Sequence, residues 1–129
     1  MTDPAAAAKR WAGEWARGWR EHDSARIAAL YAEGAVFRSA PFRDADEPGR
    51  YAEWAFADED AVECRFGEPV VFGDRSFVEY WAVISHEGRE QTLAGVALLR
   101  FDGGGLVVEQ RDYWHMEDGR REPFREWGR

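Results

Sequence analysis

Two carboxylates stand in strand-like, largely apolar surroundings: Asp112 in Gln110-Arg111-Asp112-Tyr113-Trp114 and Glu79 in Phe77-Val78-Glu79-Tyr80-Trp81. A carboxylate enclosed by apolar and aromatic groups has its pKa raised, which fits it to give or take a proton near neutral pH. If both project from one concave sheet face, they titrate as a pair and can act as an acid/base and its partner carboxylate. Each also has a structural alternative: an ion pair of Asp112 with Arg38 or Arg100, or of Glu79 with Arg38, Arg100 or Arg111. A shift of one residue in strand parity would turn Glu79 outward. Trp15, Trp19, Tyr31, Trp54, Tyr80, Trp81 and Trp114 are the candidates to line a cavity for a small hydrophobic molecule, with Tyr31 or Tyr80 as hydrogen-bond donor. The same rings could equally be core filling.

Other chemistries find little footing. His22, His86 and His115 share no ligand spacing of the His-x-His or His-Glu-x-x-His kind, so no metal site is expected. Cys64 has no His or Lys beside it in sequence to lower its pKa and reads as a small strand residue. Gly103-Gly104-Gly105 precedes a strand rather than a helix, which makes it a turn and not a phosphate loop. With 17 basic against 25 acidic residues and a formal charge of −8, the surface repels nucleic acid. No apolar run approaches the roughly 20 residues of a membrane span, and the N-terminus shows no secretory signal pattern. A single cysteine fits a reducing, cytoplasmic setting.

The elements that must position these residues follow from periodicity. The 129 residues amount to one domain, 1–129, with no repeat or linker. Trp11, Trp15 and Trp19 are four apart and predict one apolar face of a helix over Ala5–Arg20. Asp23 reads as the cap of a second helix over Ser24–Tyr31, ended by Gly34. A short strand at Ala35–Ser39 and a third helix around Tyr51–Phe56 come next. From Val62 the period changes to two, predicting strands at Glu63–Phe72, Ser76–Ser85, Arg89–Phe101 and Leu106–His115. Helices followed by an antiparallel meander make an α+β fold. Both faces of the strands at 76–84 and 93–99 are apolar, so the face away from the helices also needs a cover, and a second subunit would supply it.

Thr92 to Phe101, followed by Gly105 to Trp114 with its Arg111-Asp112-Tyr113, resembles the last hairpin of the SnoaL-like members of the nuclear-transport-factor-2-like superfamily. His22-Asp23 through Leu30-Tyr31-Ala32-Glu33-Gly34-Ala35-Val36-Phe37, with Ser39 and Pro41, resembles their second helix and first strand. Val78-Glu79-Tyr80-Trp81 resembles a middle strand. The resemblance implies a cone: a curved antiparallel sheet wrapped by N-terminal helices around a pocket, dimerising through the outer sheet face. It also implies that Asp112 matches the Asp that works with an Arg and a second Asp in the epoxide-hydrolase members. The chain departs from that pattern. No Arg-x-Asp stands on the preceding strand, and His115 replaces the motif's final Asp, so epoxide hydrolysis is not carried over.

Two functions remain in view. One is cofactor-free proton transfer (isomerisation, cyclisation or dehydration) on a ring-containing hydrophobic substrate, with Asp112 and Glu79 catalytic. The other is a non-catalytic domain that binds a hydrophobic ligand or a partner's segment.

Overall fold

The computed structural model describes residues 2–129. The chain runs α1 (Pro4–Glu21), α2 (Ser24–Ala28), β1 (Tyr31–Arg38), α3 (Pro48–Ala57), β2 (Ala61–Phe66), β3 (Val70–Phe72), β4 (Arg75–His86), β5 (Arg89–Phe101) and β6 (Val107–Asp118). The six strands form one curved, unclosed, mostly antiparallel sheet in the order β1-β6-β5-β4-β2, with β3 also paired to β4. Only β1 and β6 run parallel. This is the α+β arrangement that the order of periods predicts.

Pro4 starts α1, where its missing N–H costs nothing. The helix then buries Ala7, Ala8, Trp11, Trp15, Gly18 and Trp19 along one face. Gly18 is the point of closest approach to α2: a Cβ there would lie 2.7 Å from Ile27 Cδ1. Asp23 caps α2 by accepting from the Arg26 N–H at 3.1 Å. For α3 the cap is Glu47, whose carboxylate accepts from the N–H groups of Gly49 and Arg50 at 2.9 and 2.8 Å.

Three boundaries differ from the sequence reading. The second helix stops at Ala28, because Tyr31 already pairs with Val107 as the first residue of β1. Gly34 therefore caps nothing. It lies inside β1 at φ 75°, where the register slips between Tyr31 and Val36. The long strand expected at 63–72 breaks into β2 and β3. Pro69, which has no N–H for a ladder, sits in the break. So does Gly67, whose added Cβ would lie 2.7 Å from Gly128 Cα.

Register decides which residues face the helices. Tyr80 lies opposite Gly95, and Gly95 opposite Trp114; Val78 lies opposite Ala97, and Ala97 opposite Asp112. Opposed residues share a face, so Val78, Tyr80, Asp112 and Trp114 all point to the concave side. A side chain at position 95 would have its Cβ 2.6 Å from Trp114 Cβ, so glycine is what lets Trp114 lie close on β5. By alternation Phe77, Glu79, Trp81, Val96, Leu98 and Tyr113 occupy the outer face.

The chain covers part of that outer face itself. After β6, Thr92 Oγ1 donates to the Gly119 carbonyl at 2.7 Å and accepts from the Arg121 N–H at 2.9 Å. Trp81 Nε1 donates to the Arg121 carbonyl at 2.9 Å, and Trp127 packs edge-on against the Trp81 ring. Phe77 and Tyr113 remain 50% and 44% exposed on the other half of the face.

Candidate functional site

A cavity of about 210 Å³ lies between the concave sheet face and helices α1 and α3. Trp11, Trp15 and Trp19 enter it from α1, Tyr51, Trp54 and Phe56 from α3, and Tyr80, Asp112 and Trp114 from the sheet. It opens beside Trp54, which is 62% exposed. There the Arg43 guanidinium lies 5.8 and 5.5 Å from the ring centres of Trp54 and Trp114 and donates to Ser39 Oγ at 3.0 Å.

One run of hydrogen bonds crosses the core from α1 to Asp112. The indole N–H groups of Trp11 and Trp15 donate to the Tyr31 hydroxyl oxygen at 3.3 and 2.9 Å. With its oxygen taken as acceptor, Tyr31 donates its own proton to Gln110 Oε1. That contact fixes the amide, whose Nε2 then donates to Asp112 Oδ1 at 2.9 Å. Every proton in the run points toward Asp112, so Oδ1 can only accept. Oδ2 is the carboxyl oxygen that Gln110 leaves untouched.

Burial is the largest influence on Asp112 and pushes its pKa up from 3.8 to about 7, against the bonds from Gln110 and the neighbouring Tyr80, which favour the charged form. Tyr80 and Tyr51 are pushed up as well, first by burial and then by the charge of Asp112. Glu59, just past α3, also lines the cavity, next to Asp58. Its Oε1 accepts from Trp19 Nε1 at 2.8 Å. Burial again dominates and raises its pKa to about 7.

Among the sequence candidates, Trp15, Trp19, Trp54, Tyr80, Trp114 and Asp112 line this cavity. Three do not. Glu79 pairs with Val96 on the outer face and shares no space with Asp112, so the expected carboxylate pair is not formed by these two residues. Trp81, two residues on, lies under the tail. Tyr31 is buried behind the wall with its hydroxyl committed on both sides, and acts on the cavity through Trp11, Trp15 and Gln110.

Sequence reasoning missed Glu59, Gln110, Arg43 and Tyr51. Glu59 sits in the acidic run Asp58-Glu59-Asp60, which reads as a solvated turn. Gln110, only 1% exposed, carries no local sign of its burial. Elsewhere, burial pushes the Cys64 thiol up to about 11, which makes it a poor nucleophile. His115 is on the outer face with its side chain in solvent. Among the described residues no group of three or more metal-ligating side chains comes together, and no helix is long and apolar enough to cross a membrane.

Comparison with known proteins fits this architecture. The SnoaL-like domain model matches residues 12–110. No curated protein matches the sequence. Among solved structures, the epoxide hydrolase/cyclase-like enzyme SalBIII of pyran ring formation in polyether salinomycin aligns at TM-score 0.75 and 16% identity, over 92% of this chain and 100% of that one. An LEH-like epoxide hydrolase of M. tuberculosis aligns at TM-score 0.68 and 13% identity, over 88% and 86% of the two chains. A SnoaL-like protein of unknown function from Burkholderia thailandensis aligns at TM-score 0.65 and 19% identity, over 85% and 95%. At these identities the structural likenesses carry the fold and nothing finer. With the family model spanning most of the chain, the protein belongs to the SnoaL-like domain family.

Proposed function

We propose that this chain is a small-molecule pocket protein in which Asp112 moves a proton on a hydrophobic, ring-containing substrate without a cofactor. One observation carries the reading: Asp112 ends a one-way run of donors, lines an aromatic cavity, and has no cation paired with it among the described residues. A carboxylate held this way, with a pKa near the working pH, is equipped as a general base when ionised and a general acid when protonated. Tyr80 stands beside it, and its single O–H, which bonds Asp112 in this structure, would turn to a substrate oxygen on binding. The reaction class is isomerisation, cyclisation or dehydration.

The test is exchange of the α-hydrogens of a bicyclic ketone, 2-tetralone, in D2O, followed by NMR. Asp112 Oδ2 would take the α-proton and solvent deuterium would replace it. Wild-type protein is expected to accelerate exchange by about a hundredfold or more, and Asp112→Asn to return it to the solution rate. An equal rate with and without wild-type protein would remove the acid/base role. A non-catalytic binding domain is the second reading. It draws on the β4 residues that face the cavity, Tyr80 and Ile84, which supply no second carboxylate and no arginine on that strand.

The exposed half of the outer sheet face, with Phe77, Val96, Leu98 and Tyr113, is proposed as the seat of a second copy of the chain. Sedimentation at micromolar concentration should then give twice the mass of one chain, and Tyr113→Arg should return it to one. A wild-type protein sedimenting as a single chain would overturn this assignment.

A further inference from the structure

The charge of the cavity wall has a definite sign. Asp58, Glu59 and Asp112 line it against a single guanidinium, that of Arg43. Asp58 and Glu59 lie at the C-terminal end of α3, where the last unpaired carbonyls add partial negative charge. Neither Asp112 nor Glu59 is neutralised by a basic side chain: their hydrogen bonds come from an amide and a phenol in the one case and an indole in the other. The rest of the wall is mainly aromatic, and the faces of Trp54 and Trp114 already hold one cation, the Arg43 guanidinium. Aromatic faces attract a cation through their quadrupole, most strongly where water is excluded.

The α1 indoles give the cavity its length. Trp11 to Trp15 and Trp15 to Trp19 are 6.2 and 6.1 Å between ring centroids. Trp15 reaches Asp112 through Tyr31 and Gln110, whereas Trp19 binds Glu59 directly. Both carboxylates are thus tied to the α1 indoles, one by a relay and one directly. A neutral ligand would leave both to be neutralised by protons alone. A ligand carrying its own positive charge supplies the missing counter-ion and uses the same rings.

We infer that the cavity takes a ring-containing organic cation, an amine or quaternary ammonium, whose charge is held by Asp112 and Glu59 and by the faces of the indoles. This rests on the proposed pocket function and names the class of its ligand. The other ionisable groups around the cation would be Arg43, Tyr51, Asp58 and Tyr80.

The test compares benzyltrimethylammonium with neopentylbenzene, which has the same shape and no charge, by quenching of tryptophan fluorescence at about pH 8.5, where both carboxylates are ionised. The cation is expected to bind roughly tenfold or more tightly than its neutral counterpart. Asp112→Asn and Glu59→Gln should each remove a large part of that preference for the cation over the neutral compound. Equal or tighter binding of neopentylbenzene by wild-type protein would overturn the assignment of a cation, as would failure of both compounds to bind. Accelerated 2-tetralone exchange alongside either result would show that the proton-transfer reading survives while the ligand class is wrong.

Discussion

Asp112→Asn is expected to raise the melting temperature by on the order of 10 °C at about pH 8 and to leave it almost unchanged at about pH 4. The folded protein holds the Asp112 proton more tightly than the unfolded chain, with a pKa of about 7 against 3.8, and burial is the main cause. Between those values the native state binds more protons than the unfolded state, so this group's contribution to stability falls as pH rises and levels off above neutrality. The full displacement corresponds to about 4 kcal/mol, the cost of keeping a charge in an apolar site. Asparagine keeps the shape and carries no charge, so the difference between variant and wild type opens only on the alkaline side. Glu59 and the surface ion pairs are common to both proteins and cancel in that difference. The measurement is a pair of thermal melts at several pH values. A variant that melts lower at every pH would mean that Asp112 is a structural anion after all.

Gln110→Leu should cost about 3 kcal/mol or more, because it strands two buried groups at once. The Tyr31 hydroxyl would lose its acceptor and Asp112 Oδ1 its donor, while leucine fills nearly the same volume. A second readout separates this from simple damage to packing. The Gln110 bond favours ionised Asp112, so its loss should move the carboxyl titration further up, as read by the 13C shift of the Asp112 side chain. Unchanged titration with a lowered melting temperature would reduce Gln110 to a structural role. Denaturant unfolding gives the stability change, and combining the substitution with Asp112→Asn gives the coupling between the two side chains.

The sequence was informative where the signal is local. Three indoles spaced by four define α1, and alternation defines β4 and β5, because each of those periods is a property of one element. The end of α2 was hidden because Ile27, Leu30 and Tyr31 continue a helical spacing into a strand that only its pairing with Val107 reveals. Alternation along β4 separates Glu79 from Tyr80. Which of the two meets Asp112 depends on Gly95 lying opposite both Tyr80 and Trp114, a relation between three strands. Glu59 and Gln110 were out of reach for the same reason. An acid in an acidic run and an amide in a strand look like solvated residues until the fold sets Trp19 against one and Tyr31 against the other.

The segment from Gly119 to Trp127 works as a fence on the outside of the sheet. By occupying the ground over Trp81 and Thr92, it leaves a docking body only the strip between Phe77 and Tyr113. Any symmetric pairing of two copies there must place its axis off the centre of the sheet, toward the ends of β4, β5 and β6 that carry Phe77, Leu98 and Arg111. Sliding along the strands toward Trp81 and Thr92 would run into the tail before it buried more area. Such a boundary limits the number of registers open to a flat apolar surface, and so gives it direction as well as stickiness.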